Sequence, residues 1–256
     1  MQKRNWYTGI VCLIALATGV PLYAQSAGEG KPPIFIYISE WAVPRAQWTQ
    51  MLKVDDADKP LMDKLVSDGT LTGYGAFTNL IHQEGEPTHG TWMTATSEGN
   101  LLKALEALYA HPESVTAPVE GESKHWDYIL VSRMYNQRSG KSENGYLAGE
   151  QWTVKPGQMH AYNELLKTQL VPIYEKLLAD GTITSYGMGT NDFHTGKMGV
   201  VSGWFTTADA ASFDKASKTF DDELAKNPTL QGALMSLLDR EGHRDILDRL
   251  RYANYK

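Results

Sequence analysis

Two histidines, His82 and His194, stand 112 residues apart in this 256-residue chain, and imidazole is the side chain best suited to proton transfer near neutral pH. Each closes a stretch that the chain repeats at that same offset. Pro60 to His82 aligns with Pro172 to His194 without a gap, and twelve of the 23 pairs are identical. If the chain is an enzyme, His82 and His194 are the expected acid and base, although a histidine at a strand end also caps backbone groups through a ring nitrogen. A second repeated pair is Tyr74 and Tyr186, each followed by a glycine, Gly75 and Gly187. A phenol can donate to a ligand and orient it, and a glycine inside a strand admits close approach of a ligand or of another backbone. Packing between two halves of the molecule is the competing explanation.

Trp92 and Trp204 also share a repeat position. With Tyr74 and Tyr186 they form the expected ligand-binding set, because aromatic rings wall apolar pockets as well as fill cores. His82, Glu84, Glu86 and His89 offer imidazole and carboxylate together, a donor set for zinc or manganese. Their spacing matches no established ligand pattern and the second half keeps only His194, so no metal is predicted. The chain carries no nucleophile elbow, phosphate loop, dinucleotide fingerprint or haem-attachment motif.

The elements that must position these residues also come in two copies. Asp68-Gly69-Thr70 and Asp180-Gly181-Thr182 read as helix stops, glycine taking the left-handed conformation and the polar neighbours satisfying backbone groups. A strand at Ile34 to Ile38 precedes a helix from Pro44 to about Ser67, with Pro60 expected to kink or divide it. Strands follow at Thr70 to Leu80 and Thr91 to Thr96, then a helix capped by Ser97 with Leu101, Leu105 and Leu108 on one face, then a strand at Trp126 to Met134. The polar Asn136 to Gly145 reads as a linker. The order then recurs: a strand to Val154, a helix started by Pro156, strands at Ile183 to Thr190 and Met198 to Thr207, and a helix at Ala210 to Ala225. A further helical stretch, Gln231 to Asp239, has no evident counterpart in the first half. The ending reads as a last strand, with helix over Asp245 to Tyr252 as the alternative.

The ends and the composition bound the function class. Lys3 and Arg4, the apolar run Ile10 to Val20 and Ala24 after Pro21 fit a cleaved secretory signal over residues 1–24, with an uncleaved anchor as the alternative. Residues 25–33 have the composition of a tether. Cys12 is the only cysteine and lies within the signal, so the expected mature chain uses neither disulfides nor thiols. The formal charge is −6, and −8 once Lys3 and Arg4 are lost, with no basic stripe. Nucleic acid and, after signal removal, membrane are therefore not expected partners.

A tandem β-α-β-β-α-β order resembles the dimeric α/β-barrel superfamily over roughly residues 34 to 256. The resemblance implies an α+β fold in which two ferredoxin-like repeats (34–135 and 146–256, joined by 136–145) pack their sheets face to face as an intramolecular dimer. It implies a ligand in the barrel or between sheet and helices, and activities ranging from cofactor-free monooxygenases to haem-dependent enzymes. The haem-degrading branch uses an asparagine on the first strand, which Ile34 to Ile38 lacks, so Asn79, His82 and Trp92 do not inherit those roles. The expectation is a secreted or periplasmic protein, monomeric or weakly self-associating, that binds a small apolar or aromatic molecule. Any turnover would be monooxygenase-like or isomerase-like without a bound cofactor. The alternatives are a non-catalytic binding or scaffold protein and a haem-binding protein.

Overall fold

The computed structural model describes residues 32–111, 118–193 and 197–256. The signal and most of the tether fall outside the described residues. In chain order the elements are β1 (Ile34–Ala42), α1 (Trp48–Ser67), β2 (Gly73–Asn79), β3 (His89–Ala95), α2 (Glu98–Tyr109), α3 (Pro118–Glu122) and β4 (Lys124–Gln137). The second half supplies β5 (Gly140–Val154), α4 (Met159–Leu165), a π-helical turn (Leu166–Leu170) and α5 (Val171–Ala179). It continues with β6 (Ser185–Asn191), β7 (Val200–Thr207), α6 (Ala210–Lys226), α7 (Pro228–Leu237) and β8 (Leu238–Tyr255).

Each half forms a four-stranded antiparallel sheet, in the order β4-β1-β3-β2 and β8-β5-β7-β6. The sheets do more than face each other. β2 pairs with β8 and β4 with β6, so the eight strands close one barrel. Closure removes the unpaired strand edges that an open sheet would expose. Helices cover the outside. Leu101, Ala104 and Leu105 of α2 join Met62, Leu65 and Val66 of α1 over Tyr74 and Met93. Tyr186 packs in the same way beneath Leu177, Leu178 and Ala216. Each fully buried leucine in these layers contributes roughly 2 kcal/mol of transfer free energy.

The helix boundaries follow the sequence closely. Ser97 accepts from the Asn100 N–H, and at the equivalent place Asp209 accepts from the Ser212 N–H, caps worth about 1 kcal/mol each. Gly69 and Gly181 hold φ of 83° and 80°, and the carboxylates of Asp68 and Asp180 accept from the N–H of Thr70 and Thr182.

Four expectations need correction. Residues 136–145 are not a linker: β4 runs to Gln137 and β5 begins at Gly140. These residues are polar because that stretch is largely exposed, while β6 and β8 still satisfy its backbone. Pro156 lies in a turn, with Gly157 at φ 77°, and the helix starts at Met159. α1 runs undivided through Pro60, whereas in the second repeat the π-helical turn precedes Pro172 at the start of α5. A proline lacks the N–H for the regular ladder, and a wider turn is one way to absorb that loss. The ending is strand throughout, and α7 has a shorter counterpart in α3.

Candidate functional site

Strand alternation decides which side chains enter the barrel. Ile34, Ile36, Ile38 and Glu40 of β1 point inward, as do Tyr128 and Leu130 of β4, and Ile246 and Asp248 of β8. They enclose a cavity of about 100 Å³. That is somewhat below the roughly 150 Å³ of an engineered apolar cavity known to hold benzene.

Trp92 and Trp204 wall this lumen. Each lies across the repeat glycine opposite it on the neighbouring strand: Trp92 is registered with Gly75, and Trp204 with Gly187. A Cβ on Gly75 would meet Trp92 Cζ2 at 2.6 Å, and one on Gly187 would come closer still to Trp204. The strand glycines therefore make room for an indole. Tyr74 and Tyr186 alternate to the helix side. The Tyr74 hydroxyl donates to Asp63 at 2.8 Å, and that of Tyr186 donates to Glu175. Burial, followed by those carboxylates, pushes both phenols up. Tyr186 borders the cavity, but its hydroxyl is committed to Glu175.

His82 is exposed on the loop beyond β2, with Nδ1 3.3 Å from the Asn79 carbonyl and its ring edge-on to Trp48. It does not border the cavity. His194 lies outside the described residues. His89 is the buried histidine: it opens β3, meets Thr88 Oγ1 at 2.9 Å and packs edge-on to Trp48. Burial pulls its pKa down to about 4, with Arg251 and His82 adding to the effect. Among the described residues, no three His, Cys, Asp or Glu side chains are grouped to hold a metal ion.

The polar groups of the lumen differ sharply between its two ends. At one end the Tyr255 hydroxyl lies 3.0 Å from Ser185 Oγ, which lies 2.6 Å from Thr206 Oγ1, itself 2.7 Å from Thr184 Oγ1. Every hydroxyl in that chain has a partner. At the other end lie Glu40, Tyr128, Gln151, Ser202 and Asp248. Glu40 is 5 % exposed, and the Arg244 guanidinium stands 3.7 Å from it. Asp248 is 1 % exposed, and neither of its carboxyl oxygens has a hydrogen-bond partner among the described residues. Burial lifts Asp248 well above the usual carboxylate range; Glu40 adds to the lift and Arg244 opposes it. Burial also raises Glu40, against the pull of Arg244 and Tyr128. An unpaired buried polar group costs about 1–3 kcal/mol or more, so Asp248 is an expensive residue for this position.

The pseudo-twofold relation between the repeats shows that the fold does not require these acids. Ile38 faces Trp92 as Gly149 faces Trp204, so Ile38 corresponds to Gly149 and, two residues on, Glu40 to Gln151. Ile36 faces Leu130 as Leu147 faces Asp248, so Asp248 corresponds to Leu130. Glutamine and leucine serve at the matching places. Glu40 and Asp248 were missed in the sequence because they are not repeated. The available signal was Asp248 itself, which interrupts the inward apolar alternation of Ile246 and Leu250.

Eight antiparallel strands built from two ferredoxin-like repeats and closed into one barrel define the dimeric α/β-barrel fold, and this chain has it. No protein-family model and no curated protein matches the sequence. Solved structures do match. A candidate monooxygenase from Lactobacillus acidophilus NCFM superposes with a TM-score of 0.65 at 10 % identity, over 88 % of this chain and 97 % of that one. A second candidate monooxygenase, from Fusobacterium nucleatum subsp. nucleatum, gives 0.61 at 12 % identity over 88 % and 94 %. An anthrone oxidase-like protein gives 0.55 at 11 % identity over 88 % and 94 %. At these identities the likeness is one of fold.

Proposed function

We propose that this protein is an exported binding protein for one small, largely apolar molecule, held in the barrel lumen between Trp92 and Trp204. The observation that carries this reading is the cavity itself: apolar over most of its wall, partly closed, with a few unpaired polar groups on the lining residues Trp92, Ser202 and Asp248. Ligand pockets combine these features, an apolar wall for affinity and a few placed polar groups for orientation. Export rests on residues 1–24 and is checked by the mature N-terminus of the secreted or periplasmic fraction. Turnover, if present, falls to Glu40 and Asp248, two carboxyls that line the cavity and whose pKa values burial raises. The sequence points to His82 and His194 for the acid/base role; the two carboxyls are preferred because they line the cavity and His82 does not. The shared fold with candidate monooxygenases supports testing for oxygen uptake.

Mass spectrometry of the protein under native conditions tests the binding reading. One small molecule per chain, lost when the small lining residue Ser202 is replaced by tryptophan to fill the lumen, is the expected result. A protein that carries and accepts no small molecule would remove the proposal. A haem reading gains no support from this lumen, which offers about 100 Å³ and no lining histidine among the described residues. Titration with haemin is expected to give no Soret band of a ligated haem.

A further inference from the structure

We propose that the molecule held in the lumen is a small organic monocation, with its ammonium group at Asp248 and its apolar body among Phe77, Trp92 and Trp204. The inference rests on the lumen being the binding site and adds the ligand's charge. Three independent observations support it.

Charge balance is the first. The polar end holds two carboxyls, Glu40 and Asp248, against the single guanidinium of Arg244, so one carboxyl has no cation of its own and a bound cation would let it ionise despite its burial. Glu86 faces Glu40 from outside and adds acid rather than base. A monocation closes this balance, whereas an anion would meet carboxylate on entry. The second is the orphaned carboxylate. Asp248 lines the cavity, and both of its oxygens are buried and lack a partner, so N–H donors that the protein does not supply remain to be found. The third is the wall. Indole and phenyl faces attract a cation through the ring quadrupole, most strongly for tryptophan and when water is excluded. A metal ion is a poorer occupant, because a hard cation wants six or more oxygen ligands and no such group exists among the described residues.

The pseudo-symmetry separates function from architecture. Leu130 and Gln151 occupy the matching positions, so the barrel packs without acid there. Asp248→Leu therefore installs the side chain that the other repeat already uses, and it should fold at least as well as the parent chain.

The probes are benzylammonium, benzyl alcohol and benzoate, matched in size and differing in charge, titrated by calorimetry and by tryptophan fluorescence. The expected order is benzylammonium tighter than benzyl alcohol by about tenfold or more, with benzoate unbound. In Asp248→Leu and Asp248→Asn the two bound probes should become equal. Equal affinity in the parent chain, or a cation preference that survives both substitutions, would overturn the charge assignment and leave the lumen as a binding site. Failure of all three probes to bind would overturn the lumen reading, and the charge assignment with it.

Discussion

A methyl group at Gly187 would overlap the indole of Trp204, and no rotation of a Cβ can relieve that contact. Gly187→Ala is thus expected to push Trp204 into the lumen, costing about 1–3 kcal/mol in urea unfolding and changing the tryptophan emission. Full retention of both stability and emission would show that the indole does not rely on the glycine. Repetition was a good guide to such packing residues and a poor one to chemistry. Tyr74 and Tyr186 repeat because Asp63 and Glu175, which receive their hydroxyls, repeat eleven residues earlier in each half. Gly75 and Gly187 repeat because each lies under a tryptophan. The acids of the lumen occur once each, so a search by internal likeness passes over them.

Helix α1 is fastened to the strand of the other repeat. Arg251 of β8 reaches Asp55 Oδ2 at 2.7 Å and Asp56 Oδ1 at 2.9 Å, while the Tyr252 hydroxyl donates to the Asp55 carbonyl. Asp55 is buried, and burial raises its pKa to about 7 against the pull of Arg251. Arg251→Met leaves that carboxyl without its cation and is expected to cost on the order of 3 kcal/mol at pH 8. The loss should be smaller at pH 5, where Asp55 takes up a proton instead; an equal loss at both pH values would contradict this. His89 carries the opposite sign. Its folded pKa of about 4 lies below the ordinary 6.5, so the stability it supports is present above pH 6.5 and fades as pH falls through 4. His89→Gln should therefore gain on the parent chain, in urea midpoint, as the pH is lowered from 7 to 4, and parallel pH profiles for the two proteins would refute it. At this scale the sequence was largely readable. Asp-Gly-Thr marked the ends of α1 and α5 and Ser97 the start of α2, since local backbone chemistry sets those positions, whereas Pro156 did not open a helix and α3 was not foreseen. The polar start of β5 misled because hydrophobic alternation signals burial, and a strand paired on both sides can still be exposed on its faces.

In the whole molecule both sheet edges are consumed within one chain, β2 on β8 and β4 on β6. A monomer is therefore the expected species in sedimentation at micromolar concentration, and a stable dimer would show that another surface associates. Opening the chain at Arg138-Ser139 would free four strand edges at once, so the halves made separately are expected to associate or aggregate. The duplicated order announced two ferredoxin-like units, but not that their edges would bond, because edge pairing is decided by long-range register rather than by local pattern. The fusion also bears on how this lumen came to hold one Glu40 and one Asp248 opposite Gln151 and Leu130. Two identical subunits must display every inward residue twice, so each substitution in a homodimer is made in duplicate and a lone charge near the axis is forbidden by symmetry. A single gene encoding both halves lifts that prohibition: each copy can drift on its own, and the barrel can commit to an odd number of charges and to one occupant in one orientation.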